Sequence, residues 1–195
     1  MKLLCIISNP KPLEKSYGRR MTEVFLDEYR RNNPSHQVDV IDLYASNYPV
    51  LNYTEIESAR EGSKGRMVEE AEKFKSYDKY LVMAPMWNLS VPSILKSYID
   101  HIIVSGVTFR YTKYGIPKGL LSNKKAFYIG TRGGAYPFPA SVFAFDLKYI
   151  KFVLKFIGVR NFKSFLLENI DKNPEKTEDS FSKKLEKLRL HARNF

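Results

Sequence analysis

Short apolar runs alternate along this chain with longer segments whose apolar residues recur at helical spacing. The short runs end at turn-forming residues and predict five strands, over residues 2–8, 37–43, 79–84, 126–131 and 161–167. The longer segments predict helices over residues 16–31, 66–75 and 141–157, a helix whose first turn contains Pro92, and a last helix that starts near Pro174. Strands and helices therefore alternate through the whole length.

Local signals refine the ends of these elements. Ser16 and Ser90 are candidate helix N-caps, and Gly106 is expected to end the helix that begins at Pro92. Residues 48–64 are expected to form a loop or a broken helix. Residues 107–121 form an excursion whose glycines are compatible with a hairpin.

The alternation predicts an α/β fold with a parallel sheet, because parallel strands need crossover connections and helices supply them. The economical arrangement is one domain over residues 1–195, a doubly wound five-stranded parallel sheet with helices on both faces. Ligands of such sheets bind at the carboxyl ends of the strands, near the switch in strand order. That rule selects three loops, which follow Ser8, Ala84 and Thr131.

Composition and charge narrow the class of protein. The 195 residues are 44% hydrophobic and 27% charged, which is typical of a globular chain. A net charge of +11 can attract anionic partners, although a solvated basic surface is the simpler explanation. The basic residues are spread along the chain, which argues against a nucleic-acid patch. Cys5 is the one cysteine, and no apolar stretch has membrane-spanning length, so we expect a cytoplasmic protein without disulfides and without a membrane segment.

The loop after Ser8 is a candidate phosphate site. It leads into a helix N-terminus, where free backbone N–H groups and the helix dipole favour an anion. The Ser8 and Ser16 hydroxyls are candidate donors, and Lys11 or Lys15 can add positive charge. A plain capped helix start explains the same residues equally well, and Glu14 must face solvent if a phosphate binds here.

The loop after Ala84 carries groups that suit a flat ligand with a polar edge. The segment PMWNLSVP, residues 85–92, places an aromatic ring, a thioether and an amide between two prolines. The Asn88 amide has both donors and acceptors, as a flavin edge requires, although a turn residue bonded to its own backbone is the simpler reading.

The loop after Thr131 carries the consecutive glycines Gly133 and Gly134. Glycines let a main chain approach a planar ligand without side-chain clash, although a flexible turn is the better explanation of this loop taken alone. Three such loops at one edge of a single sheet favour a ligand site.

Two motifs carry a family resemblance. The stretch PMWNLSVPSILKSYIDHIIVSGVTFRYTKYGIPKGLL, followed by KKAFYIGTRGGAYP, resembles the FMN-dependent NADH azoreductase and quinone reductase family of the flavodoxin-like superfamily. The match covers about half the chain, and the order of strands and helices fits the rest. The resemblance implies a flavodoxin-like fold, bound FMN, and a homodimer with two FMN sites at the subunit boundary.

The same resemblance implies roles for twelve residues. The phosphate and ribityl end of FMN would be held by Ser8, Glu14, Lys15 and Ser16. The isoalloxazine ring would be contacted by Met86, Trp87, Asn88 and Leu89. Its pyrimidine side would be lined by Thr131, Arg132, Gly133 and Gly134. The chain departs from the family pattern at Glu14, where a small hydroxyl residue is usual, whereas Thr131 keeps the hydroxyl of the usual serine.

The implied reaction transfers two electrons in a ping-pong cycle. NADH or NADPH would pass a hydride to flavin N5 and leave, and a quinone or azo compound would then take its place and be reduced. Such a cycle needs no catalytic side chain. It needs no metal either, and the three histidines, His36, His101 and His191, show no metal-binding spacing.

Two other functions remain open from the sequence. A flavodoxin-type electron carrier would dock protein partners and would lack a substrate pocket. A basic protein on the same fold would bind anions or nucleic acid without flavin.

Overall fold

The strands and helices follow one another in the order that the hydrophobic pattern predicts. The computed structural model describes residues 1–172 and 174–195. The strands are β1 (Lys2–Ile7), β2 (Gln37–Asp42), β3 (Lys79–Pro85), β4 (Phe109–Tyr111), β5 (Pro117–Gly119), β6 (Lys125–Thr131) and β7 (Asn161–Leu167). The α-helices are α1 (Tyr17–Asn32), α2 (Tyr53–Arg60), α3 (Arg66–Lys75), α4 (Ser93–Ile102), α5 (Phe145–Phe156) and α6 (Pro174–Arg193). Short 3₁₀ helices span Leu13–Lys15 and Ala140–Phe143.

Five parallel strands form the central sheet, in the order β2-β1-β3-β6-β7. The prediction of a flavodoxin-like doubly wound parallel sheet is confirmed. The chain passes from β1 to β2 on one side and then returns to place β3 on the other side of β1. The order therefore switches between β1 and β3, and the carboxyl ends of these two strands border a crevice suited to a ligand. The segment 107–121, predicted as an excursion, contains the antiparallel hairpin β4–β5.

Two apolar layers cover the two faces of the sheet. Alternate residues of one strand point to opposite faces, so Leu81 and Met83 of β3 pack on one side, and Tyr80 and Val82 on the other. The first layer is covered by α1 and α6, and the second mainly by α3, α4 and α5. Strands buried on both faces explain the continuous apolar runs in the sequence.

Two predictions about α4 are wrong. Ser90 does not cap it, because Ser90 exchanges two backbone hydrogen bonds with Trp87 and the N-cap position is Pro92. Gly106 does not end it either, since the helix ends at Ile102. The Thr108 hydroxyl donates to the carbonyl of Ile102 at 2.9 Å and satisfies that helix end, and Gly106 adopts a φ of +85° in the following turn.

The apolar segment 141–157 is not one helix. It contains the end of the 3₁₀ helix Ala140–Phe143 and then α5, separated by Ala144 at φ −83° and ψ 81°. The break lets the backbone N–H of Phe145 donate to the carbonyl of Leu89 at 2.8 Å, a contact that a continuous helix would not allow. None of the helices in the described part of the chain is both long and apolar enough to cross a membrane.

Candidate functional site

The loop after β1 is held in shape by its own polar side chains. The Ser16 hydroxyl oxygen accepts from the backbone N–H of Arg19 at 3.1 Å and caps α1, as the sequence predicts. It also accepts from the Asn9 amide at 2.9 Å, while the Asn9 oxygen accepts from the backbone N–H of Lys11. The buried Ser8 hydroxyl has no hydrogen-bond partner within the residues that the structure describes. The strand end therefore carries one buried hydroxyl group without a partner, next to a loop that lines the cleft.

The charges around this loop favour an anion. Lys11 and Lys15 line the cleft beside the start of α1, while Glu14 is exposed and does not line it. Arg19 binds the carbonyl of Asn9 and the carboxylate of Asp42, the latter at 2.6 Å, and so fixes the loop to the end of β2. Lysine ammonium groups and a helix N-terminus together make a typical anion site.

The loop after β3 begins with a tight turn. Trp87 and Ser90 exchange backbone hydrogen bonds, and the two residues between them have positive φ angles, 45° for Asn88 and 71° for Leu89. The backbone N–H of Met86 donates to the carbonyl of Thr131 at 2.8 Å, which joins this loop to the end of β6. The Trp87 ring is 39% exposed, so part of its surface is open to a flat ligand.

The loop after β6 divides its residues between the cleft and the protein interior. Thr131 and Gly133 line the cleft, but the Arg132 guanidinium binds Asp146 and Glu168 and does not line it. An ideal Cβ on Gly133 would lie 2.1 Å from Asp171 Oδ2, so a larger residue there would displace the Asp171 carboxylate. No atom lies within 4 Å of the corresponding position on Gly134.

These loops enclose a cleft of about 170 Å³ at the carboxyl edge of the sheet. Six of the twelve residues implied by the resemblance line it: Lys15, Ser16, Met86, Trp87, Thr131 and Gly133. Ser8 is buried at the end of β1, and Asn88 and Leu89 line a neighbouring groove with Phe145 and Phe152. Glu14, Arg132 and Gly134 are not part of either lining.

The cleft also contains residues that the three-loop reasoning did not single out. Asn9 and Tyr17 come from the first loop and the first turn of α1, and Ile170 and Asp171 come from a fourth loop, after β7. The rule that selects the carboxyl ends of strands applies equally to β7, so this fourth loop could have been predicted. The fourth loop thus adds a carboxylate, Asp171, to a lining that also contains Lys11 and Lys15.

Comparisons with known proteins agree with this geometry. Residues 1–192 match the family model Flavodoxin_2, described as a flavodoxin-like fold. An FMN-dependent NADH:quinone oxidoreductase of Clostridium beijerinckii is 37% identical over 199 residues, covering 100% of this chain and 99% of the relative. An FMN-dependent NADH:quinone oxidoreductase 2 of Photobacterium profundum is 41% identical over 167 residues, with 85% of each chain covered.

A solved structure extends the likeness to three dimensions. The crystal structure of azoreductase AzrA superposes with a TM-score of 0.92 at 28% sequence identity, over 100% of both chains. The likeness therefore extends over the whole fold, and not only over the sequence motifs. This chain belongs to the flavodoxin-like family that contains the FMN-dependent NADH:quinone oxidoreductases.

Proposed function

We propose that this protein is an FMN-dependent oxidoreductase that passes two electrons from NADH or NADPH to a quinone or an azo compound. The observation that carries the proposal is the composition of the cleft at the strand-order switch. A capped helix start with Lys11 and Lys15 stands beside the partly exposed Trp87 ring and the glycine loop. The names of the relatives, NADH:quinone oxidoreductase and azoreductase, support the choice of donor and acceptors.

The residues present fit FMN. The N-terminus of α1, the Lys11 and Lys15 ammonium groups and the unpartnered Ser8 hydroxyl suit the phosphate end. Met86, Trp87 and the backbone beside Gly133 suit a flat ring, because they offer apolar surface and main-chain donors and acceptors. When bound, FMN supplies reversible two-electron hydride chemistry.

The protein's own contribution is binding, orientation and partial exclusion of water. The titratable cleft residues in the described part of the chain are Lys11, Lys15, Tyr17 and Asp171. Burial raises the pKa of Tyr17, so its hydroxyl stays protonated at neutral pH. Because donor and acceptor would share one opening of the cleft, they would bind in turn, as a ping-pong cycle requires.

The test uses the purified full-length protein. We expect it to be yellow, to release FMN on heating, and to oxidise NADH steadily when a quinone is the one added acceptor. A flavin-containing protein that needs a second protein to turn over would support the electron-carrier alternative. A colourless protein that takes up no FMN but shifts nucleic acid in a gel would support the basic binding protein.

We further propose that two copies form the homodimer that the family resemblance implies. Large apolar side chains near the second loop and α5 are exposed: Phe138 by 88%, Val142 by 49%, Phe143 by 54%, Phe145 by 51% and Phe152 by 71%. Contiguous apolar surface of this kind usually marks an interaction site. The groove that contains Asn88 and Leu89 includes Phe145 and Phe152, so a partner on this patch would border the ring end of the cleft.

The cytoplasmic location stays a prediction. It is supported by Cys5, which is fully buried and is the one cysteine of the chain. Burial raises the pKa of its thiol far above the ordinary value, so the group is neutral and shielded from oxidants.

A further inference from the structure

Arg132 joins the third loop to two other parts of the molecule. Its Nε and Nη2 atoms donate to the two carboxylate oxygens of Asp146 at 3.0 and 2.7 Å, and its Nη1 atom donates to Glu168 at 2.8 Å. The side chains of Arg132 and Asp146 are 6% and 0% exposed. A buried pair joined by two such hydrogen bonds fixes the orientation of the guanidinium as well as its distance from the carboxylate.

Asp146 connects this fork to the second loop. It lies in the first turn of α5, directly after Phe145, whose backbone N–H donates to the carbonyl of Leu89. The Tyr128 hydroxyl, which burial keeps protonated by raising its pKa well above the ordinary value, has one proton and two acceptors within reach, Ala84 O at 3.2 Å and Asp146 Oδ2 at 3.4 Å. The N-terminus of α5 therefore holds the second loop through its backbone and the third loop through Arg132.

Stability alone does not account for a buried ion pair. The desolvation of two charges offsets most of their attraction, and apolar residues of similar volume often serve equally well. The contribution of Arg132 is instead to fix the relative positions of the groups that it joins, because one planar guanidinium donates to Asp146 and Glu168 at the same time. A lysine ammonium at the same place cannot reproduce this arrangement.

We propose that Arg132 and Asp146 form a positioning pair that sets the distance between the second and third loops, and so the width of the slot that receives the flat ring of FMN. The inference rests on the proposed function and changes the role that the family resemblance implies for Arg132. Arg132 contributes to flavin binding without contacting the flavin, through the backbone of Thr131 and Gly133 on either side of it.

The first test is the variant Arg132→Lys, compared with Arg193→Lys. Arg193 binds the buried carboxylate of Glu28 between α1 and α6 and does not line the cleft, so the same substitution there controls for the loss of an arginine–carboxylate contact away from the cleft, at a more exposed side chain. FMN affinity of the flavin-free proteins is measured by fluorescence quenching, together with Tm and the visible spectrum of the bound flavin. We expect Arg132→Lys to weaken FMN binding about tenfold or more and to shift the spectrum, while Arg193→Lys does neither.

The second test separates positioning from folding. The double variant Arg132→Met/Asp146→Leu removes both charges at once, so neither is left buried and unpaired, and Glu168 is exposed enough to turn to solvent. We expect its Tm to lie close to that of the wild type while FMN affinity stays low.

Each outcome decides between the proposals. Wild-type affinity for FMN in Arg132→Lys or in the double variant would overturn the positioning role and leave the proposed function intact. The positioning role would also be overturned if Arg132→Lys and Arg193→Lys lost the same FMN affinity and the same Tm. Wild-type protein that binds no FMN would overturn the proposed function, and the inference with it.

Discussion

At the scale of one residue, the surroundings of Gly133 limit which side chain this position can carry. The neighbour that a Cβ would meet is the Asp171 carboxylate, at 2.1 Å from the ideal Cβ position, and Gly133 does not have a positive φ. Asp171 also donates its backbone N–H to the carbonyl of Gly133 at 3.2 Å, so the third and fourth loops close on each other at this point.

Gly133→Ala should therefore lower stability and FMN affinity together. The Asp171 carboxylate must turn aside, and because it is the end of an exposed side chain the cost should lie at the lower end of the about 1–3 kcal/mol typical of overpacking. Gly134→Ala is the matched control, with no atom within 4 Å of its Cβ position, and should change Tm little. Tm and flavin titration are measured for both, and for Gly133→Ala/Asp171→Ala, which should recover most of the lost stability. A Gly133→Ala protein as stable as Gly134→Ala would refute the close contact.

Asn88 raises a separate question, since its φ of 45° suits a turn whether or not its amide binds a ligand. Asn88→Gly keeps the turn and removes the amide, whereas Asn88→Ala removes the amide and strains the turn. If the amide meets the flavin edge, both variants should lose about 1–3 kcal/mol of FMN binding free energy, and Asn88→Gly should keep the wild-type Tm. Unchanged flavin affinity in Asn88→Gly would make Asn88 a turn residue alone.

At the scale of elements, α1 and α6 are joined across the same face of the sheet by a buried carboxylate. Glu28 of α1, with a side chain 6% exposed, accepts from Arg193 Nε of α6 at 2.7 Å and from Asn32. The hydrogen bond from Arg193 is the main cause that lowers the pKa of Glu28 below its ordinary value of 4.5. A lowered folded-state pKa means that this contact stabilises the fold above about pH 4.5 and is lost as the pH falls through the folded pKa.

Glu28→Gln should accordingly lower Tm at pH 7, and the difference from the wild type should shrink as the pH falls below 4.5. The control is Glu186→Gln, because Glu186 is 72% exposed and pairs with Arg189 within α6. Exposed pairs contribute little, so the control should have nearly the wild-type Tm at both pH values. A Glu28→Gln difference that is the same at pH 3.5 and pH 7 would show that Glu28 acts by packing and not by its charge.

At the scale of the whole molecule, the charge of +11 bears on how substrates arrive. NADH carries phosphates, so a positive field near the cleft should attract it and leave a neutral quinone unaffected. Rising salt should then raise the KM for NADH, since exposed charges are screened over about 8–10 Å at physiological ionic strength. Steady-state kinetics at several salt concentrations, with donor and quinone varied separately, measure this.

Bound flavin and oligomeric state are followed in the same samples. A KM for NADH that does not change with salt would place the positive charge away from the cleft. Equal responses of the two substrates would assign the effect of salt to flavin retention or to assembly of subunits.

The proposed homodimer is tested by Phe152→Glu. Phe152 is 71% exposed within the apolar patch near α5, so a carboxylate there should oppose association. Leu190→Glu on α6, at a position 54% exposed, is the matched control and should keep the wild-type mass in sedimentation analysis. A monomeric wild-type protein, or a dimer that tolerates Phe152→Glu, would contradict the proposed interface.

Much of the fold could be predicted because its signals are local. Three signals act within a few positions of the chain. They are the apolar pattern of each strand or helix, the cap at Ser16 and the turn residues after each strand. These signals predict the doubly wound sheet and three of the four loops that border the cleft. The start of α5 could not be predicted from local signals. It depends on the hydrogen bond from Phe145 to Leu89, which joins residues far apart in sequence.

What the sequence by itself determined is therefore the order of elements, the edge of the sheet where the candidate cleft lies and the family motifs at that edge. The tertiary structure alone decided which side chains face the cleft. Arg132 and Gly133 are neighbours in one motif, yet Arg132 binds Asp146 and Gly133 borders the cleft beside Asp171. The physical reason is that a buried charge needs its partner, and that partner comes from another element whose position depends on the packing of the whole sheet.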